Sequence, residues 1–132
     1  WIAREGAAWG LESARIILGG DSAGANLALG AALLLRETDP EIELSGILLN
    51  YGVFDADLHT ATYGEFAEGY FLTRETMRFY WDCYCPRAAD RLNPLVAPLR
   101  ADLNGLPPVL LHIAQLDVLA AENHAMAARL QG

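Results

Sequence analysis

Three short apolar runs stand out along the chain: Arg15-Ile16-Ile17-Leu18-Gly19-Gly20, Ile47-Leu48-Leu49-Asn50-Tyr51 and Val109-Leu110-Leu111-His112-Ile113-Ala114. None alternates cleanly between apolar and polar positions. Such runs are expected of strands buried on both faces of a parallel sheet. Helical stretches lie between and after them. Ala23 to Arg36 is rich in Ala and Leu and stops at Thr38-Asp39-Pro40, where the proline disfavours helix in the residue before it. Glu122 to Leu130 reads as the last helix. Strands alternating with helices predict an α/β domain whose parallel strands are joined by right-handed crossover helices.

The segment from Asp55 to Arg91 breaks this rhythm. It holds most of the aromatics, among them Tyr63, Phe66, Tyr70, Phe71, Phe79, Tyr80, Trp81 and Tyr84. It is longer than a plain crossover needs. Thr73 followed by Glu75 and Thr76 opens a helix that places Met77, Tyr80, Trp81 and Tyr84 on one face. Two readings stand side by side: a helix packed on the sheet, or a cap-like wall over an acyl pocket, since ligand pockets are mostly apolar and often aromatic-lined. Asn93 to Pro108 then carries four prolines and reads as an irregular connector.

Composition narrows the function classes. Of the 132 residues 53% are hydrophobic, enough to build a core. The net charge of −8 repels phosphate backbones, and the basic residues are scattered singly, so nucleic-acid binding is not expected. The longest apolar run, Leu27 to Leu35, is far short of the roughly 20 residues of a membrane span. Cys83 and Cys85 are too close in sequence for a comfortable mutual disulfide, and no Cys/His set has zinc spacing. They are read as reduced thiols of a cytoplasmic protein without a metal.

The most specific motif is Gly20-Asp21-Ser22-Ala23-Gly24, a G-x-S-x-G sequence. It follows a predicted strand and opens a predicted helix, the context that a nucleophile elbow requires. So tight a turn forces its serine into a strained conformation and lifts the hydroxyl clear of the sheet's C-terminal edge. Residues two before and two after the serine are expected to crowd each other, hence Gly20 and Gly24. The helix N-terminus behind Ser22 offers unpaired N–H groups, so the N–H of Ala23 is a candidate oxyanion donor. A bare helix cap would not call for both glycines. Asp21 is expected to cap or orient locally.

Gly20-Asp21-Ser22-Ala23-Gly24-Ala25-Asn26-Leu27-Ala28 resembles the elbow of the hormone-sensitive-lipase-like carboxylesterases, G-D-S-A-G-G-N-L-A, departing only at Ala25. Gly105-Leu106-Pro107-Pro108-Val109-Leu110-Leu111 resembles the lead into that family's strand before its catalytic acid. Asp117-Val118-Leu119-Ala120-Ala121-Glu122 resembles the acid's turn, D-P-L-R-D-E, at Asp117, Leu119 and Glu122. The resemblance runs from Trp1 to Gly132 in the family's order. It implies one partial α/β-hydrolase domain over residues 1–132, running from elbow to acid turn and following helix.

The resemblance implies Asp117 as the triad acid, which orients a histidine and stabilises its imidazolium. The other reading of Asp117 is a cap for the helix after it. Glu122 is expected on the helix surface or behind the site. The base should follow the acid in this fold. His124 follows it but lies within a helix, His112 reads as a packed core histidine, and His59 as a surface residue. None is assigned, so the base is expected outside these residues, as are the family's H-G-G-G oxyanion loop and early strands.

The expected parent is a longer serine carboxylesterase acting on small acyl esters without a cofactor. A short protein completing its sheet with another chain is the alternative, which leaves a homo-oligomer open. Two other functions stay in view. Plant hormone receptors resembling this family keep the serine but lose the base, and amidases or formamidases use the same triad on a different leaving group.

Overall fold

The computed structural model describes residues 1–132. A short helix α1 (Ile2–Glu5) leads through a 3₁₀ turn at Gly6–Trp9 into β1 (Ile16–Asp21). Then follow α2 (Ala23–Thr38), β2 (Leu44–Asn50), α3 (Ala61–Glu65), α4 (Arg74–Tyr84), β3 (Val109–His112) and α5 (Ala120–Gln131). The three strands form one parallel sheet in the order β1-β2-β3. Strand β2 starts three residues before the apolar run does, because Leu44-Ser45-Gly46 pairs with β1 although its polar and small residues hide it.

Two cores result. In the first, α2 lays Ala25, Leu29, Ala32 and Leu33 against Ile47 and Leu49 of β2, and Met126 of α5 closes it. In the second, Val53, Tyr63, Met77, Trp81, Val118 and Leu119 pack together beyond the end of the sheet. Helix α4 therefore packs on the segments that leave β2 and β3, and the plain sheet-packed reading of this helix fails.

Within these 132 residues the strands are covered on one face only. Burial alternates along β1 and β3, with Ile17 66% and Leu110 56% exposed. One face of the sheet carries α2; the other is open in these 132 residues. At the C-terminal end of the open face Asp21, Asn50 and His112 stand in register across the three strands. Asn50 donates to Asp21 Oδ1 at 2.7 Å, and its Oδ1 meets His112 Nδ1 at 2.7 Å. Within these 132 residues His112 is exposed, on the face away from α2. Asp21 binds across the sheet and caps nothing.

Candidate active site

Strand β1 turns into α2 within a single residue, and that residue is Ser22. Its backbone sits at φ 53° and ψ −116°, a region that costs a side-chain-bearing residue of the order of 1–3 kcal/mol. The strain is held from both sides. The Ser22 N–H donates to the Asn50 carbonyl at 2.9 Å. Its own carbonyl accepts from Ala25 at 3.1 Å and from Asn26 and Val53 at 3.3 Å. The Ser22 side chain makes no capping hydrogen bond, so its hydroxyl is left free. Ala23 is the first residue of α2, and its N–H has no carbonyl one turn back to bond.

The crowding argument holds for only one glycine. A Cβ on Gly20 would lie 2.3 Å from the Gly24 carbonyl carbon and 2.4 Å from its oxygen, both backbone atoms that cannot move aside. A Cβ on Gly24 would meet nothing within 4 Å. Gly20→Ala is therefore expected to destabilise the fold by about 1–3 kcal/mol, as overpacking does. Gly24→Ala should be neutral, or stabilising by up to about 1 kcal/mol from helix propensity. Thermal unfolding of the two variants checks this, and equal effects would refute the one-sided crowding.

Ser22 opens onto an apolar cleft of about 370 Å³. Ala23, Asn26 and Val53 form its floor beside the serine. Its wall is α4, which contributes Met77, Tyr80, Trp81 and Tyr84. That helix starts where the sequence places it: Thr73 caps it, its hydroxyl oxygen accepting from the Thr76 N–H at 3.0 Å. Met77 and Trp81, one turn apart, are 3% exposed and anchor the wall in the second core. Tyr80 and Tyr84, the next such pair, are half-exposed at the cleft. The wall reading of this segment is the one the geometry supports.

Asp117 follows β3 at the same edge of the sheet. Its Oδ1 accepts from the Leu119 N–H at 2.9 Å, which shapes the turn into α5, and the side chain is half-buried. Strand β2 lies between the strands that lead to Ser22 and Asp117, which puts those two strands about 10 Å apart. No histidine lines the cleft: His59 and His124 are exposed elsewhere, and His112 is tied to Asn50.

Of the two places expected for Glu122, the helix surface and behind the site, it takes the buried one. It is 2% exposed, and its Oε1 accepts from the Phe54 N–H at 2.6 Å. Burial pushes its carboxyl pKa up to about 8, against the pull of the Phe54 and Asp55 N–H groups. The folded chain thus keeps a proton that the unfolded chain loses near pH 4.5. This group's contribution to stability is full below that pH and is lost as pH rises to about 8. Glu122→Gln cannot ionise and is expected to flatten the fall of Tm across this window. Equal slopes for the two proteins would mean that Glu122 is ionised in the fold. Beside it, burial and the charges of Glu122 and Asp117 hold the Tyr63 phenol far above its ordinary pKa.

A family model described as alpha/beta hydrolase fold matches residues 1–132. The chain belongs to the α/β-hydrolase family. Within this family it is 33% identical over 124 residues to the carboxylesterase NlhH of Mycobacterium tuberculosis, covering 90% of this chain and 38% of that protein. It is 31% identical over 123 residues to a gibberellin receptor of Oryza sativa, covering 89% and 34%. A thermostable esterase of Pseudomonas putida superposes with a TM-score of 0.95 at 39% identity, covering 99% of this chain and 42% of that one. This α/β-hydrolase chain thus spans between 34% and 42% of the length of these relatives. The carboxylesterases among them agree with the resemblance carried by the elbow and the acid turn. No helix is long and apolar enough to cross a membrane. Both thiols are free, Cys83 exposed and Cys85 buried.

Sequence reasoning missed Asn26 and Asn123 at this site. Asn26, 4% exposed, donates to the Val53 and Val96 carbonyls, both at 2.8 Å, and ties the elbow helix to the cleft floor. The Asn at this place in the elbow motif was the one available signal.

Proposed function

We propose that the protein is a serine carboxylesterase acting on small acyl esters. The observation that carries this reading is Ser22, held in a strained turn with a free hydroxyl at the mouth of an apolar cleft. In this mechanism the Ser22 oxygen attacks the ester carbonyl, and its proton passes to a histidine from beyond the 132 residues. Asp117 orients that histidine and stabilises the imidazolium. The Ala23 N–H, at the positive end of α2, donates to the oxyanion together with a glycine loop also outside these residues. The alkoxide leaves with the proton, and water then hydrolyses the acyl-enzyme by the same route in reverse. Met77, Tyr80, Trp81 and Tyr84 hold the apolar part of the substrate.

The test is intact mass of the full protein before and after a fluorophosphonate probe. A single adduct that maps to Ser22 supports the esterase. The gibberellin receptor among the relatives favours a second reading, a ligand binder on the same scaffold. Absence of an adduct, with saturable binding of a small apolar ligand in the cleft, would establish the binder instead.

A further inference from the structure

The peptide segment leaving β2 makes an alternating set of contacts. It is extended, so successive peptide groups face opposite sides. Gly52 faces α5: its N–H donates to Asn123 Oδ1 at 3.0 Å, and its carbonyl accepts from Asn123 Nδ2 at 2.7 Å. Val53 faces α2: its N–H donates to the Ser22 carbonyl at 3.3 Å, and its carbonyl accepts from Asn26 at 2.8 Å. Phe54 faces α5 again, its N–H donating to Glu122 Oε1 at 2.6 Å, and the Asp55 N–H reaches the same oxygen at 3.4 Å. Just before the segment, Tyr51 is held at φ 39°, a left-handed conformation that persists only when neighbours over-determine it.

The two α5 side chains involved are consecutive and almost fully buried, Glu122 at 2% and Asn123 at 1%. They sit in the first turn of the helix that Asp117 opens, and Asn123 Nδ2 also donates to the Leu119 carbonyl of the acid turn at 2.9 Å. One rigid element therefore carries the acid turn at one end and grips the Gly52–Asp55 segment with its next turn. That segment in turn grips the nucleophile.

We propose that Glu122 and Asn123 are positioning residues that lock the acid turn to the nucleophile elbow through the Gly52–Asp55 segment. Neither touches substrate; both act through the Val53 peptide on Ser22. The consequence for catalysis rests on the esterase reading above. The mechanical claim does not. Glu122 Oε2 has no partner, so the lock needs only the oxygen that Gln would also present. The charged and titratable groups facing Glu122 are Tyr63 from α3, Asp117 from the acid turn, and Asp55, which is paired with Arg100.

The experiment uses the full protein and four variants: Glu122→Ala, Glu122→Gln, Asn123→Asp and, as a control for lost packing, Met126→Ala. Met126 is fully buried one turn further along α5 in the same core as Phe54, makes none of the hydrogen bonds to the segment and lies outside the cleft lining, so its loss removes packing but leaves the lock's hydrogen bonds in place. Hydrogen exchange is read at the Val53 amide, and the second-order rate of Ser22 modification by a fluorophosphonate is read per folded molecule. With Glu122→Ala and Asn123→Asp, Val53 protection is expected to fall at least about tenfold. The labelling rate should fall by about 10²-fold, the order a displacement of about 1 Å costs. Glu122→Gln should keep both. Met126→Ala should lower Tm and change neither.

If faster exchange is confined to Phe54 and Asp55 while Val53 stays protected, the lock is refuted. It is equally refuted if labelling per folded molecule matches the wild type. Should Glu122→Ala not fold, Asn123→Asp decides, since it keeps the Gly52 N–H acceptor and loses only the donor. Should the wild type itself resist the probe, the esterase reading fails, and exchange at Val53 alone judges the lock.

Discussion

Replacing Ser22 by alanine is expected to abolish ester turnover by the full protein while leaving its fold intact. In serine hydrolases loss of the nucleophile costs about 10⁶ in kcat, and what remains comes from the oxyanion donors and substrate binding. The structural cost should be small. The Ser22 hydroxyl caps nothing, and Ala has the same Cβ, so both the strain at φ 53° and its backbone hydrogen bonds persist. Tm should move by no more than a surface substitution moves it, about 0.5 kcal/mol in stability terms. Ser22→Gly separates strain from chemistry. Glycine enters positive φ freely, so this equally inactive variant should be more stable than Ser22→Ala. Turnover of a p-nitrophenyl ester and thermal unfolding of the two variants read the outcome. An alanine variant that keeps most of its activity would remove Ser22 from the mechanism. A glycine variant no more stable than the alanine one would mean that the elbow stores no strain.

What the sequence made legible here is local. The elbow was readable because its determinants are contiguous in the chain, a β-branched run, a glycine, a serine and an Ala/Leu-rich helix. The α4 wall was readable because Thr73 and Thr76 are three residues apart and the aromatic face repeats at helical spacing. The turn at Asp117 was legible as the end of a strand, while its assignment to the acid rested on the resemblance. Each depends on neighbours in the chain.

The contacts left unread depend on partners far away. Glu122 is charged and stands among alanines, so its residue type left surface and interior both open. Its partner, the Phe54 N–H, lies 68 residues earlier. Asn123 is bound to Gly52 across 71 residues, and Asn26 to Val53 across 27. No periodicity announces a buried side chain whose acceptor or donor is a distant peptide group. The symmetric view of the elbow glycines failed because only the position before the serine is overhung by backbone.

Asp117→Asn is the second large effect, expected to lower kcat by about 10⁴-fold with little change in stability. The substitution isolates charge from shape. Asp117 Oδ1 accepts the Leu119 N–H, and the Asn side-chain carbonyl can accept the same bond, so the turn that opens α5 is preserved. What is lost is an anion at the sheet edge, two strands from Ser22. An amide there favours the wrong histidine tautomer and leaves the imidazolium of the acyl-transfer step without a counter-charge. The loss should appear in kcat and in the rate of fluorophosphonate labelling, with KM nearly constant, since Asp117 lies outside the cleft lining. Tm and labelling measured on the same samples make the result decisive. A fall of several thousandfold at unchanged Tm assigns Asp117 to the triad. A fall of less than tenfold would leave it only the cap of its turn, and the acid would have to be sought elsewhere on the C-terminal edge of the sheet.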